Sequence, residues 1–182
     1  MNWRSRTQTG LALAWAVFIA GTGLAFAKER SKENIQLPEP VGKAFKAAFP
    51  KAEVTKLDVE KENGVTVYDF EFRDGGSERG TDIAANGTVL EVTLVIDATR
   101  LPPAAMHIIR RAAKGVPMKR IEKVKVIYKT EAGKITKLPK PKTHYAVEMT
   151  RGNQECEVVM AADGRLLEPM KWHSRDKTKG HD

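Results

Sequence analysis

The sequence predicts an α+β protein in which two αββββ repeats form one curved antiparallel sheet, with two helices packed on one face. Three observations carry the prediction. Residues 68–91 (YDFEFRDGGSERGTDIAANGTVLE) return 77 positions later, without a gap, as residues 145–168 (YAVEMTRGNQECEVVMAADGRLLE), with nine identities. A fixed-period echo of this length means that one supersecondary unit is used twice. Each copy is also preceded by an amphipathic helical stripe that opens with Leu-Pro, Leu37-Pro38 and Leu101-Pro102. From each stripe through the echo, short alternating runs are punctuated by Asn-Gly, Gly-Gly and Asp-Gly, the signals of tight hairpins.

The elements follow in order. Residues 1–27 read as a signal peptide. Arg4 and Arg6 precede the apolar run 11–20 (LALAWAVFIA), and Ala25-Phe26-Ala27 supplies a small-x-small cleavage pattern. The rival is a retained anchor helix, but residues 11–27 hold Gly21 and Gly23 and fall short of the roughly 20 residues that a span needs. Residues 28–36 are a polar, aperiodic leader. In repeat 1, residues 37–97, Val41, Ala44, Phe45, Ala48 and Phe49 recur at helical spacing until Pro50 stops them.

A strand through Val54, Leu57 and Val59 then turns at Asn63-Gly64. The next strand puts Thr66, Tyr68, Phe70 and Phe72 on one face and Val67, Asp69, Glu71 and Arg73 on the other. Gly75-Gly76 leads to a polar third strand, and Asn86-Gly87 to a fourth over residues 88–96. Repeat 2, residues 98–172, begins with the stripe Ala105, Ile108, Ile109 and Ala112. Its first strand is matched to that of repeat 1 by setting Ile121 and Val124 against Val54 and Leu57. On that matching ten residues are inserted within 129–142 (KTEAGKITKLPKPK), a segment expected to project as a basic hairpin tip or loop. The last two strands repeat the first copy, with Pro169 marking a strand end or edge. Residues 173–182 read as a charged, disordered tail.

Charge is divided unequally. The 182-residue chain carries a formal net charge of +8. Residues 28–97 hold 10 basic and 14 acidic side chains, and residues 98–182 hold 19 and nine. Such asymmetry bears on partners and association rather than on fold. One cysteine, Cys156, excludes an intramolecular disulfide framework, and no CxxC or Cys/His spacing suggests zinc or redox chemistry.

The Leu37-Pro38 helix, the Phe49-Pro50-x-Ala52-x-Val54 run, Tyr68-x-x-Glu71 and Asn86-Gly87-x-Val89-Leu90-Glu91 together resemble the PepSY-like family. Leu101-Pro102, Tyr145-x-x-Glu148 and Asp163-Gly164-x-Leu166-Leu167-Glu168 repeat the pattern. Within that family the chain looks like the tandem group related to beta-lactamase inhibitor proteins. The resemblance covers nearly all of residues 37–170. It implies an extracytoplasmic, non-catalytic protein that binds, and in some relatives inhibits, secreted hydrolases through one open sheet face. The inhibitor relatives use disulfides, which a single cysteine does not allow.

The residues themselves announce no catalytic site. Seryl elbows, phosphate-cradling glycine loops and HExxH helices are all missing. His107, His144, His173 and His181 show no local metal-ligand spacing, and no Cys/His motif accompanies Cys156. No cofactor is expected. The candidate partner-binding face is the one turned away from the helices, carrying Asp69, Glu71, Arg73, His144 and Glu148. The bland alternative is an ordinary wet antiparallel face. A second candidate is the basic segment, with Lys129, Lys134, Lys137, Lys140 and Lys142. Export and the lack of interleaved aromatics argue against nucleic acid. Two functions therefore stay open: a periplasmic or secreted module binding a protein, such as a hydrolase, or an envelope module holding an anionic ligand or surface.

Overall fold

The computed structural model describes residues 36–174. The expected signal peptide, residues 28–35 of the leader and residues 175–182 of the tail lie outside them. The elements are α1 (Glu39–Ala48), β1 (Glu53–Glu62), β2 (Val65–Asp74), β3 (Ser77–Ala84), β4 (Val89–Val95), α2 (Pro103–Ala113), β5 (Met118–Glu131), β6 (Lys134–Arg151), β7 (Gln154–Ala161) and β8 (His173–Ser174). The eight strands form one antiparallel sheet in chain order, so each pairs with its sequence neighbours. The predicted architecture of two helices on one face of a single meandering sheet is the observed one.

Each helix is placed by its apolar stripe. Val41, Phe45 and Phe49 pack on Tyr68, Phe70 and Phe72 of β2 and on Ile83 of β3. The Phe45 ring stacks on Phe70 at 4.4 Å between centroids and meets Phe72 edge-on at 5.2 Å. Such paired geometries add to the burial of large side chains. In repeat 2, Ala105 and Ile109 pack on Tyr145, Val147 and Met149 of β6 and on Cys156, Val158 and Met160 of β7. Small residues on α2 let larger ones rise from the strands. Both helices open on proline, where a missing N–H costs nothing.

The glycines of the last hairpin in each repeat fit against these helix starts. A Cβ on Gly87 would sit 2.8 Å from the Pro40 carbonyl oxygen, and one on Gly164 would sit 2.9 Å from that of Ala104. Close approach, as well as their positive φ of 85° and 84°, requires glycine at both turns.

Several expectations need correction. Leu57 of β1 pairs with Phe70, and Ile121 of β5 pairs with Val147, the repeat-equivalent of Phe70. Leu57 therefore corresponds to Ile121, not to Val124, and the first-strand matching was three residues out. The same β-bulge confirms it, between Val54 and Lys56 in β1 and between Met118 and Arg120 in β5. An odd slip exchanges the two faces of a strand. In runs where charged and apolar residues mix on both faces, hydrophobic pattern alone did not fix the phase.

The inserted segment also differs. It lengthens β5 and β6 into a long arm that does not project but lies back on repeat 1. Tyr128 and Ile135 of the arm pack on Val65, Val67, Ala84 and Leu90, a second small core on the helix-free face. At the tip, the Gly133 N–H donates to the Asn63 carbonyl at 2.6 Å. The Asn63 side-chain amide donates to the Thr130 carbonyl and hydroxyl at 3.2 and 3.0 Å. Val67, expected on a wet face, is fully buried as a result.

Finally, the fourth strand of repeat 2 is reduced. Leu166 forms one bridge to Met160, and the Leu167 N–H reaches the Val159 carbonyl at 2.9 Å. After Pro169, which has no donor for a ladder, Met170 and Trp172 turn onto the repeat 2 core. The Arg151 guanidinium covers the Trp172 ring at 4.3 Å. Of the expected tail, His173 and Ser174 pair with Glu155 and Gln154 as β8.

Candidate partner-binding face

Two tight turns build the site. Asn63 and Gly64 both have positive φ, 47° and 85°, which makes Glu62 and Val65 directly opposed. Gly75 and Gly76, at 57° and 79°, likewise oppose Asp74 and Ser77. Counting back from these turns brings Asp58 opposite Asp69, and Asp69 opposite Asp82. A bulge between Asp82 and Ile83 then sets Asp82 opposite Glu91. The helix-free face of repeat 1 thus carries four carboxylates in one row across four adjacent strands. Adjacent strands lie about 4.8 Å apart, so the row spans on the order of 15 Å.

The row continues through Val126 to Lys142. Glu60 stands one step along β1 on the same face, opposite the buried Val67. The principal cation inside this group is Lys56, whose ammonium lies 2.5 Å from Asp58 Oδ2 and 3.3 Å from Glu71 Oε1. Burial lowers its pKa, but the Asp58 hydrogen bond and the charges of Glu71 and Asp58 outweigh this and raise it.

The electrostatics follow from crowding and partial desolvation. Burial pushes the Asp69 carboxyl up to about 7, with the Glu71 charge adding and Lys56 offsetting. Asp82 is raised well above the ordinary range, by burial first and by Glu91 and Asp69 next. Burial raises Glu71 as well, opposed by Lys56 and Arg120. Glu60 is raised by burial and then by Glu62 and Asp58. Opposed like charges destabilise an antiparallel pair, so full ionisation of the row works against the fold.

The five sequence-predicted face residues are placed as follows. Asp69 lies in the row. Glu71 and His144 share the next row, which runs from Lys56 through Glu71, Gly80, Thr93 and Val124 to His144. Gly80 leaves a step there, with no side chain between Glu71 and Thr93. Arg73 stands between Glu53 and Glu78 at the rim. Glu148 lies apart in repeat 2, opposite Arg120 on one side and Glu157 on the other. Arg120 in turn bonds Glu122 at 2.6 Å and Glu78 at 3.1 Å, joining the two repeats. Glu157 is pushed up to about 7 by burial and then by Glu122, Glu168 and Glu148, although its side chain keeps contact with water.

Of the second candidate set, Lys134, Lys137, Lys140 and Lys142 are exposed along β6, and Lys129 bonds Glu131 at 2.7 Å. Cys156 is buried beneath α2, and burial raises its thiol pKa. Among the described residues no three His, Cys, Asp or Glu side chains are gathered as metal ligands.

Asp58, Glu60, Asp82 and Glu91 were not singled out from the sequence. The alternation of acids along β1 and the two-residue turns held the signal for the first three. Glu91 depends on a bulge that no residue pattern announces.

The comparisons agree with this architecture. Residues 43–99, most of repeat 1, match the PepSY family, described as peptidase propeptide and YPEB domain. No curated protein sequence matches the chain. A Bacteroides eggerthii structure provisionally described as periplasmic aligns with a TM-score of 0.57 at 11% identity, covering 78% of this chain and 92% of that one. A DUF2874 family protein from Bacteroides uniformis aligns at 0.55 and 14% identity, with the same coverage of 78% and 92%. A BLIP-like protein from Bacteroides fragilis reaches 0.48 at 20% identity over 80% of this chain and 90% of that one, too loose a superposition to carry an argument. At these identities the likeness is one of fold. The fold is PepSY-like, used twice.

Proposed function

We propose that this chain is an exported, non-catalytic module that binds a basic segment of a protein partner with the helix-free face of repeat 1. The observation that carries this reading is the row Asp58, Asp69, Asp82 and Glu91 across four strands. A rigid sheet holds these acids close together at a cost that a cationic partner would remove. Export is supported by the leader-like residues 1–27 and by the periplasmic description of one fold neighbour. Among the described residues no helix is long and apolar enough to cross a membrane. Because the matched family is described as a peptidase propeptide, a secreted peptidase or other hydrolase is the partner class we place first, with restraint of its activity as the outcome.

The second reading is retention of an anionic ligand or surface by the arm, favoured by the exposure of Lys134, Lys137, Lys140 and Lys142. One experiment separates them. Residues 28–182 are used to capture partners from envelope extract, beside an Asp58→Asn/Asp69→Asn/Asp82→Asn variant and a Lys137→Ala/Lys140→Ala/Lys142→Ala variant. A stoichiometric protein lost only by the first variant supports the face. Anionic lipid or polymer lost only by the second would overturn the leading reading.

A further inference from the structure

The two repeats share one scaffold but differ at one edge. In repeat 2 the outer side of β5 is occupied by β4, which pairs with it from Glu91 to Val95 and then through an Ile96 N–H bond to the Ile121 carbonyl at 2.9 Å. Leu94 and Ile96 thereby close the core beside α2, together with Leu101. In repeat 1 the equivalent outer side of β1 has no strand among the described residues. The consequence shows in equivalent residues. Leu101 is 7% exposed and its counterpart Leu37 is 36% exposed. Val54 and Val59 of β1 are 44% and 43% exposed on the helix side. Between α1 and β1 lies a mainly apolar cleft of about 430 Å³, lined by Leu37, Phe45, Phe49, Ala52, Val54 and Phe70.

The backbone of this edge is also oriented for pairing. The two-residue turn makes Glu62 and Val65 a mutually hydrogen-bonded pair, so Glu60 and Asp58 also address β2. Leu57, Val59 and Lys61 turn their N–H and C=O groups to the open side, as their equivalent Ile121 turns its carbonyl to β4. On the helix-free side the same strand presents Asp58, Glu60 and Glu62.

We infer that the partner adds an extended strand to the open edge of β1. Its alternate residues are apolar, facing the α1 cleft, and the residues between them are lysine or arginine, facing Asp58 and Glu60. This rests on the proposed reading of a basic protein partner and gives that partner a shape. β4 against β5 is the template for the apolar half, and charge complementarity selects the basic half. Edge strands are commonly guarded by charge and bulges. Here the bulge lies at residue 55, before the outward-facing groups, and the charges on the helix-free side beyond Lys56 are all acidic. A second copy would set four acids of β1 against four more with only Lys56 and Lys61 to balance each set. Main-chain bonds would supply affinity, and alternating side chains specificity.

The test uses residues 28–182 and an eight-residue peptide of alternating valine and lysine. Its controls are an alternating valine and glutamate peptide and a valine-lysine peptide N-methylated along one edge. Binding is read by fluorescence anisotropy, and edge pairing by hydrogen exchange. The inference expects protection of the Leu57, Val59 and Lys61 amides by the valine-lysine peptide. It also expects about tenfold or greater weakening on N-methylation, in Val59→Pro, and in Asp58→Asn/Glu60→Gln. Val59→Pro keeps every acid and every β1–β2 bond, and the methylated peptide covers the case in which that variant fails to fold. Equal binding of methylated and unmethylated peptides without edge protection would overturn strand addition while leaving the acidic-face reading intact. Protection of the same amides in peptide-free protein, growing with protein concentration, would assign the edge to a second copy and overturn the inference. Failure of the valine-lysine peptide to bind would overturn it too. The separate loss of partner capture in the triple asparagine variant still decides the underlying reading.

Discussion

Asp69→Asn isolates the cost of the carboxylate row, since it preserves size and removes one charge. The Asp69 carboxyl is raised from its ordinary 3.8 to about 7, by burial first and by Glu71 second. A carboxyl whose folded pKa exceeds its unfolded value holds its proton more tightly when folded. The stability it contributes is therefore fully present below about pH 4 and is lost as pH rises through about 7. The difference in pKa corresponds to about 4 kcal/mol at pH 8 as an upper bound. Water at the partly open face and relaxation of Lys56 reduce this to about 2 kcal/mol. For a domain of this size that is a gain of about 6 °C in Tm for the variant at pH 8. Thermal unfolding followed by circular dichroism at pH 4 and pH 8 measures it. The variant should be more stable than the parent at pH 8, and the two should converge at pH 4. A gap of the same size at both values would refute the argument, because a neutral packing effect has no such pH dependence.

Other consequences are more local. Asn63→Ala removes both side-chain bonds to Thr130 and should cost about 1 kcal/mol, with faster amide exchange at the arm tip than elsewhere. Ile135→Ala should cost about 1–2 kcal/mol, because the side chain is only half-buried against Val65, Val67 and Leu90; limited proteolysis should then cut first within residues 129–142. Gly87→Ala demands a Cβ 2.8 Å from the Pro40 carbonyl at φ 85° and should lower stability by about 2 kcal/mol or more, read by urea unfolding. Cys156, buried and with its thiol pKa raised, should resist iodoacetamide at pH 8 until the protein unfolds; rapid native labelling would contradict the packing of β7 under α2.

Much of this was legible in the residues. Phe45, Phe49, Tyr68, Phe70 and Phe72 could be placed in one core because helix and strand periods are simple and their residues large. The faces of Asp69, Glu71 and Glu148 followed from alternation in β2 and β6. The row itself was nearly legible, since Asn63-Gly64 and Gly75-Gly76 dictate the opposition of Asp58, Asp69 and Asp82. The phase of β5 was lost at Lys119, where a bulge equivalent to that at Thr55 adds one residue without a sequence signature. The docking of the arm was hidden for a different reason. Tyr128 and Ile135 are two apolar residues among lysines, and only the three-dimensional position of Val65 and Val67 gives them a partner.

The duplication supplies an internal control on whether the acidic row serves the fold. Asp58, Asp69 and Asp82 of repeat 1 correspond to Glu122, Ala146 and Val159 of repeat 2, which oppose one another in the same way. The Lys56–Glu71 opposition, by contrast, reappears as Arg120 opposite Glu148. One scaffold therefore tolerates alanine and valine at two of three row positions while retaining the cation–glutamate pairing beside them. The second copy accommodates other residues at the positions of Asp69 and Asp82, and burial raises the pKa of both, the direction in which ionisation costs stability. Carboxylates at positions where the second copy carries alanine and valine, beside the unpaired outer side of β1 among the described residues, support the proposed binding face over a purely structural one.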